Sequence, residues 1–483
     1  MNTLFSTLKR RTGIFVLTVA LLSSGSGAYA QKVWTLKECV EYALQHNITV
    51  KQQYLNTELA KINTDANLYT MFPSLNGSGS SSYNWGRSVD PFTYQFTTEE
   101  IRSSNLSLNT NLILFNGFQL QNTLRQSKLD YLSNKSDLQK IQNDIALNVV
   151  SAYLQVLYAR EQLSVIDARV EESKKQRDRT KLMADAGSMT RGNLLDAEAQ
   201  LTTEELNKIT ADNSFSTSKL NLMQLMELDS VNDFAIDKPT ADLPALVVLG
   251  QTPEQIFEAA LAQLPEIKSA ALKIQSSEKS LDIAKGSYMP RLSMFGSYSS
   301  GYSSASQQIA GSPVYQGLQP TGAVTSTGEA VLSPIYFSPT ERTPWGTQLD
   351  NNLTRSLGLS LSVPIFNGFS SRYNVARAKI SVLNAKYSSD LTRNQLYKSI
   401  QQAYVDASAG RKKMEATDKS VQALQEAYDY AEKRYNAGLT SSLEFLTSTN
   451  NLTKGKIEAL QAKYDFIFKV KVLDFYAGNP LVF

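Results

Sequence analysis

The stretch Asn105-Leu-Ser-Leu-Asn-Thr-Asn-Leu-Ile-Leu-Phe115 alternates apolar and small polar side chains, and Ser356-Leu-Gly-Leu-Ser-Leu-Ser-Val-Pro-Ile-Phe366 repeats the pattern. About ten residues with apolar side chains on one face and small polar ones on the other are typical of a transmembrane barrel strand. Any half-buried strand alternates in this way, so the evidence is the recurrence of the pattern rather than either stretch alone. The apolar positions are Leu106, Leu108, Leu112, Leu114, Leu357, Leu359, Leu361, Val363 and Ile365.

Matching segments recur along the whole chain at two fixed offsets. At an offset of 217, Glu41-Tyr-Ala-Leu44 aligns with Glu258-Ala-Ala-Leu261, and Phe72-Pro73 aligns with Met289-Pro290. At an offset of 251, Phe115-Asn-Gly-Phe118 aligns with Phe366-Asn-Gly-Phe369, and Ala186-Gly187 aligns with Ala437-Gly438. The chain is therefore predicted to be an internal duplication whose second copy carries 34 extra residues between Pro290 and Phe366.

Each repeat is predicted to contain a helix, a β-hairpin and a long helical hairpin. The first repeat covers residues 31–230, with its β-hairpin at about 74–115 and its helical hairpin at 116–229. The second covers 252–483, with the corresponding elements at about 291–366 and 367–476, and residues 231–251 link the two. Residues 304–352, rich in Ser, Gly, Gln, Thr and Pro, are predicted to form a long outward-facing loop between the two strands of the second hairpin.

The long helices carry apolar stripes at steps of three and four residues. No Gly or Pro occurs between Phe118 and Ala186, a run long enough for a helix of roughly 100 Å. A period near 3.5 residues is typical of a coiled-coil seam, although an ordinary two-helix coiled coil would also explain it. The stripes comprise Leu138, Ile141, Ile145, Val149, Ala152, Val156, Ala159, Leu163, Ile166 and Val170 in the first repeat, and Leu396, Ile400, Ala403, Ala407, Gly410, Met414, Thr417, Val421, Leu424, Tyr428, Ala431 and Tyr435 in the second.

Residues 1–30 have the features of a secretory signal peptide. Basic residues at 9–11 precede an apolar run at 13–22, and Ala28-Tyr29-Ala30 offers a cleavage site. A membrane anchor is the alternative, but the apolar run is about half the length that a spanning helix needs. No later stretch approaches that length, so an exported protein with this sequence would cross a membrane only as a β-barrel.

Four barrel strands per chain cannot close a barrel, since single-chain barrels begin at about eight strands. Copies of the chain must then share one barrel. A dimer would give an interior filled by side chains, whereas a trimer would leave room for a pore. Small polar residues at the inward positions Ser107, Asn109, Ser360 and Ser362 favour the trimer.

Composition excludes several function classes. Without Lys9, Arg10 and Arg11 of the predicted signal peptide, basic and acidic residues balance, which argues against a nucleic-acid binder. A single cysteine, Cys39, and a single histidine, His46, exclude a disulfide scaffold and argue against a Cys/His metal site. A secreted hydrolase would depend on His46, which is predicted to lie in an ordinary amphipathic helix from Trp34 to Thr70.

The order and spacing of these elements resemble the TolC-like outer-membrane factors, over essentially the whole mature chain. The resemblance rests on the duplication, the two Phe-Asn-Gly-Phe elements, the strand pair after Met289-Pro290, and Tyr435-Asn-Ala-Gly438 at the end of a long helix. It implies a mainly α fold with a β-barrel part. In that family a homotrimer forms a 12-stranded barrel in the outer-membrane lipid, continuous with a 12-helix periplasmic barrel. The chain lacks the acylated cysteine that many relatives carry.

The resemblance also implies a function without a cofactor. It implies a passive export duct that joins a periplasmic adaptor protein and an inner-membrane transporter, for efflux of small molecules or for type I protein secretion. A trimeric coiled-coil adhesin with a small barrel anchor is the alternative. Adhesins concentrate their anchor strands at one end, whereas strand pairs occur here in both halves of the chain.

The two tip turns of that family match residues 186–196 and 437–447. Gly187 and Gly438 have a sufficient structural explanation as helix C-caps. The resemblance adds adaptor docking at these turns, with Ser188, Leu439, Thr440 and Ser441 at the exposed positions.

The pore constriction implied by the resemblance lies just beyond the turns. Its predicted residues are Asn193, Asp196, Glu444 and Thr447, with Tyr435 bracing the closed tip. Asn193 and Asp196, like Glu444 and Thr447, are spaced i, i+3 and share a helix face. Thr447 replaces an acid that is common in relatives. Alternatively, the carboxylates are solvated surface charges, and Tyr435 is explained by its place on the apolar stripe.

Overall fold

The computed structural model describes residues 33–98, 100–228, 234–237 and 249–479. The signal peptide predicted at residues 1–30 and most of the predicted linker at 231–251 lie outside these ranges. Within the described ranges, no helix combines the length and the apolar character needed to cross a bilayer.

The helices of the two halves have equal lengths. In chain order they are α1 (Leu36–His46), α2 (Ile48–Tyr69), α3 (Gln119–Asp185), α4 (Arg191–Leu225), α5 (Pro253–Gln263), α6 (Pro265–Gly286), α7 (Trp345–Asn351), α8 (Ser370–Asn436) and α9 (Ser442–Tyr476). The pairs α1 and α5, α2 and α6, α3 and α8, and α4 and α9 have 11, 22, 67 and 35 residues respectively. The short helix α7 lies between Pro290 and Phe366, in the segment that carries the extra residues of the second half.

The strands alternate with these helices along the chain. They are β1 (Val33–Trp34), β2 (Ser74–Asn84), β3 (Ser88–Val89), β4 (Phe96–Thr97), β5 (Ile101–Asn116), β6 (Ala235–Ile236), β7 (Arg291–Ser303), β8 (Gln307–Ile309), β9 (Val314–Val324), β10 (Ala330–Phe337), β11 (Thr340–Arg342) and β12 (Thr354–Ser362).

The prediction of one helix from Trp34 to Thr70 is wrong, because the chain breaks at Asn47. The backbone of Asn47 is not helical, at φ −58° and ψ 127°. Its side-chain oxygen accepts a hydrogen bond from the amide of Thr49 at 2.9 Å, and its amide group donates to the carbonyl of Leu225 at 3.2 Å. Asn47 therefore ends α1 and caps α2 in one step. Pro265, at the first position of α6, marks the corresponding break in the second half.

The described chain packs as two compact units. The first, built from residues up to 57, 134–270 and 389–483, is helical apart from the parallel pair β1 and β6. One of its hydrophobic clusters surrounds that pair, where the buried Tyr153 hydroxyl donates to the carbonyl of Asp237 at 2.9 Å. Every residue of the two predicted apolar stripes is buried or half-buried in this unit.

A buried ion cluster joins α3 to α4 within this unit. The Arg169 and Glu204 side chains are only 6% and 5% exposed, and Arg169 Nε lies 3.2 Å from Glu204 Oε1. Gln200 and Asn207 donate further hydrogen bonds to Glu204, and Arg169 also pairs with Glu172 at 3.3 Å. Because Glu204 accepts three hydrogen bonds and Arg169 has two acidic partners, the cluster holds the two helices in one register.

The second unit, built from residues 58–133 and 271–388, contains a four-stranded antiparallel sheet in the order β12-β7-β5-β2. The pairing register separates its two faces. One carries Leu106, Leu108, Leu112, Met294, Tyr298, Leu357 and Leu359, and the other carries Asn76, Ser78, Ser107, Asn109, Ser297, Ser299 and Ser356. Hydroxyl pairs such as Ser78 with Ser107 and Ser297 with Ser356, each at 2.7 Å, follow the polar face.

The second predicted strand is too long at its end. The prediction continued the strand to Phe366, but β12 ends at Ser362, two residues before Pro364. Proline has no amide hydrogen to give to a ladder, so pairing stops as the chain approaches it. A register shift between Ile113 and Phe115 marks the equivalent end of β5.

Each Phe-Asn-Gly-Phe element makes the turn from strand to long helix. Gly117 and Phe118 both adopt left-handed backbone conformations, with φ of 67° and 61°, and Gly368 and Phe369 repeat them at 61° each. At Gly117 a side chain would collide with the carbonyl of Gly286 and with Met289. The motif is therefore explained by backbone geometry.

The surplus residues of the second half build ordered structure. β8 pairs with β11, and β9 pairs with β10, both antiparallel. The base of this region is fixed by buried polar side chains. Gln348 binds both backbone groups of Ser303 and the carbonyl of Thr343, and Asp90 accepts from the Ser303 hydroxyl and from the amides of Phe92 and Thr93.

The buried ion cluster generates a stability prediction. Replacing Glu204 with Ala leaves the buried Arg169 charge without its main partner, so we expect the free energy of unfolding to fall by ~3–5 kcal/mol. The matched control is Lys208→Ala. Lys208 forms a 2.6 Å ion pair with Asp167 between the same two helices, but these side chains are 50% and 43% exposed. Its loss should lower the free energy of unfolding far less, because solvent screens this exposed pair. Thermal unfolding in detergent measures both, and equal shifts would contradict the assignment.

Candidate functional site

The two tip turns have the same backbone geometry. Gly187 and Gly438 follow α3 and α8 in the left-handed conformation, with φ of 73° and 71°. In each turn the next amide reaches back to the helix: Ser188 donates to the carbonyl of Met183 at 2.8 Å, and Leu439 to that of Arg434 at 2.9 Å. A hydrogen bond of this kind is typical of a helix that ends at a left-handed glycine.

Side-chain caps start the next helix after each turn. The Thr190 hydroxyl accepts from the amide of Asn193 at 3.3 Å, and the Ser441 hydroxyl accepts from the amide of Glu444 at 3.2 Å. Gly187, Ser188, Gly438 and Ser441 are exposed, Thr440 is half-buried and the Leu439 side chain is 69% exposed. The turns thus present a short polar surface with one apolar side chain in the second turn.

Glu444 is an ion-pair partner of Arg434. Arg434 Nη1 lies 3.0 Å from Glu444 Oε1, and the Thr440 hydroxyl donates to the other carboxylate oxygen. Arg434 also donates to the carbonyl of Leu439 at 3.3 Å. Sequence reasoning missed Arg434, although a basic residue beside Tyr435 in the last turn of α8 is a recognisable signal.

The other predicted constriction residues have different surroundings. Asp196 is exposed and forms no hydrogen bond or ion pair within the described part of the chain. The hydroxyl of Thr447 donates to the carbonyl of Leu443 at 2.8 Å and so bonds to its own helix. The Tyr435 ring stacks on Phe445, with centroids 4.9 Å apart and planes 10° apart.

A cavity of about 240 Å³ brings Asp196 and Tyr435 together. All four long helices of the first unit contribute to its wall, including Arg169, Glu172 and Arg179 of α3, whereas Asn193, Glu444 and Thr447 do not line it. Arg179 donates to the side-chain oxygen of Asn436, and the Tyr428 hydroxyl donates to Glu172. Burial and then the bond to Glu172 raise the pKa of Tyr428 above its ordinary value, so the hydroxyl stays a hydrogen-bond donor even at alkaline pH.

The acidic side chains do not form a metal site. Among the residues that the structure describes, no three His, Cys, Asp or Glu side chains are grouped so that they could hold a metal ion. Within the described residues, the predicted site consists of two turns, an ion pair and packed aromatic rings.

Comparison with known proteins identifies the family. The family profile described as outer membrane efflux protein matches residues 39–227 and 256–479. The chain is 21% identical over 467 residues to the outer membrane efflux protein BepC of Brucella suis biovar 1, covering 96% of this chain and 89% of BepC. It is 24% identical over 336 residues to the outer membrane protein TolC of Escherichia coli, covering 68% of this chain and 59% of TolC.

A solved structure has the same fold. The crystal structure of the Campylobacter jejuni CmeC outer membrane channel superposes with a TM-score of 0.71 at 18% identity, covering 92% of this chain and 85% of CmeC. The family match extends over both halves of the chain and includes both tip turns. The chain therefore belongs to the TolC-like family of outer membrane efflux proteins, and it is a transport protein of the outer membrane whose helical part lies in the periplasm.

Proposed function

We propose that the protein is a passive export duct formed by three copies of the chain. The copies would share one 12-stranded barrel in the outer membrane and continue it as a 12-helix tunnel in the periplasm. A periplasmic adaptor protein and an inner-membrane transporter would engage the tunnel at its tip. No cofactor is required for this function.

The open edges of the four-stranded sheet carry the proposal. Among the described residues, the edge strands β2 and β12 each pair on one side only, with β5 and β7 respectively. In a bilayer, unpaired backbone groups cost several kcal/mol each, so these edges need partners. Three copies supply twelve strands, enough for a barrel with an open interior. The Ser and Asn face of the sheet suits a water-filled lumen, and the Leu face suits lipid.

The names of the relatives point the same way. BepC is named an outer membrane efflux protein, and CmeC is named an outer membrane channel. A coiled-coil adhesin anchored by a small barrel is less well supported, because strand pairs interrupt the helices in both halves of the chain.

The tip turns are the proposed docking surface for the adaptor. They are exposed, they are held rigidly by helix caps at both ends, and Leu439 offers an apolar contact. The proposed docking residues are Gly187, Ser188, Gly438, Leu439, Thr440 and Ser441.

The proposed pore constriction consists of Asn193, Asp196, Glu444 and Thr447, with Tyr435 bracing it. Three copies of Asp196 and Glu444 would form a negative ring, which attracts cations. Arg434 bears directly on this ring, because it pairs with Glu444 and compensates its charge. Asp196 has no such partner within the described residues, so it would supply the larger share of the uncompensated charge.

The duct is tested with purified protein. We expect a particle with the mass of three chains in detergent and discrete conductance steps in a planar bilayer, because a shared barrel encloses a pore. A solid coiled coil is the control case, and it cannot conduct. A stable single chain that conducts would refute the shared barrel, and a non-conducting trimer would refute the duct.

The constriction is tested by changing one charge at a time. Arg434→Gln should increase cation preference in the bilayer by releasing the Glu444 charge, and Glu444→Gln should decrease it. Both effects should weaken in high salt, since charges are screened over about 10 Å at 0.1 M. Lys174→Gln is the matched control, since it removes a positive charge from the exposed Lys174–Glu171 pair on α3. If all three variants have the selectivity of the parent, Arg434 and Glu444 are surface charges remote from the pore.

A further inference from the structure

The surplus of the second half contains a β-hairpin whose large side chains are mostly exposed. Its strands β9 and β10 are joined by a turn at residues 325–329. The pairing register assigns each residue to a face, because directly opposed residues of an antiparallel pair point to the same side. Leu318 opposes Pro334 and Tyr315 opposes Tyr336, and the two tyrosine rings lie 5.9 Å apart.

One face of this hairpin is apolar throughout. We call it the apolar hairpin face, and it consists of Tyr315, Leu318, Pro320, Val324, Ala330, Leu332, Pro334 and Tyr336. The opposite face is mixed: Gln319 and Ser333 lie at its centre, and Val314, Ile335 and Phe337 lie toward the open end of the hairpin. The five largest side chains of the apolar hairpin face are between 47% and 69% exposed.

An isolated two-stranded hairpin is at best marginally stable in water, so this one needs another protein surface to pack against. Burying a leucine or tyrosine side chain stabilises by roughly 1.5–3 kcal/mol, so a cover over this face would be strongly favoured. The two prolines identify the mode of contact. Pro320 on β9 and Pro334 on β10 have no amide hydrogen, which disfavours strand addition at either edge. The contact must then be made through the face.

The lack of basic residues in this segment excludes one class of binding partner. Between Ser303 and Pro339 the only charged residue is Glu329, in the turn. A surface that binds phosphate groups, whether of lipid or of nucleic acid, needs Lys or Arg, and this region has none. An uncharged apolar face is instead typical of contacts between identical subunits.

The position of the hairpin in the sheet indicates the partner. Along the chain, β7 is followed by β8 and β9, and β10 is followed by β11, α7 and β12. β12 is an open edge of the four-stranded sheet, where the neighbouring copy joins in the proposed barrel. Buried hydrogen bonds that join Gln348 and Asp90 to Ser303 and Thr343 hold the base of the inserted region at the end of β7, the strand that pairs with β12.

We infer that the apolar hairpin face packs against the same hairpin of the neighbouring copies, forming a collar above the barrel that stabilises the trimer. The inference rests on the proposed shared barrel. It assigns a function to the extra residues of the second half: they extend the subunit interface beyond the paired strands.

The test uses neighbouring residues on the two faces of β10. Leu332→Cys places a thiol on the apolar hairpin face, and Ser333→Cys places one on the opposite face. Both positions are exposed in the single chain, and the native Cys39 is fully buried, so the parent is the background control. After the mass in detergent is measured, each protein is treated with a short bis-maleimide and separated by denaturing gel. Because one thiol per chain can join only two chains, Leu332→Cys should convert up to about two thirds of its single-chain band to covalent dimers, and Ser333→Cys and the parent should keep theirs.

A second readout avoids the cross-linker. Leu318→Ser combined with Leu332→Ser should lower the temperature at which trimers dissociate, and Gln319→Ser should leave it unchanged. Equal cross-linking of the two cysteine variants, none in Leu332→Cys trimers, or capture of a different protein on intact cells would overturn the collar while the trimer stands. A single-chain mass would instead refute the proposed barrel, and the collar with it.

Discussion

In the part of the chain that the structure describes, the backbone groups along β2 and β12 have hydrogen-bonding partners on one side only, and the proposed assembly depends on this constraint. The sheet carries leucines on one face and Ser and Asn on the other, so it suits a boundary between lipid and water. Such a sheet is unstable in a bilayer while its edges are open. This constraint is the reason for proposing a closed assembly, and the proposed duct, tunnel and collar all depend on that closure.

The helices show the same duplication as the strands. Each strand pair leads through a Phe-Asn-Gly-Phe turn into a helix of 67 residues, and each returns through a helix of 35 residues. Burial of the apolar stripes and of the Arg169–Glu204 pair sets the packing of these helices. At the second tip turn, Arg434 pairs with Glu444 and so compensates one charge of the proposed constriction.

Features set by local periodicity were predictable from the sequence, and features set by distant partners were not. Alternation located β5 and β12, and the three-four period located the buried stripe. The break at Asn47 was missed because its amide group binds Leu225, far along the chain. The hairpin β9–β10 was missed because a Ser-, Gly- and Pro-rich segment has weak strand propensity. At the tip, the residue types at Glu444 and Tyr435 were visible in the sequence. The sequence shows Arg434 as a basic residue in the last turn of α8, but its pairing with Glu444 became visible only in the folded turn.

The most direct test of the shared barrel is a disulfide scan between its two edges. One cysteine is placed along β2, residues 74–84, and a second along β12, residues 354–362, in every combination. Neighbouring strands alternate in direction through this sheet, so closure would make β2 of one copy antiparallel to β12 of the next. The account predicts covalent trimers from a series of pairs in which one residue number rises as the other falls. Disulfides confined to single chains, or none at all in the assembled protein, would contradict it.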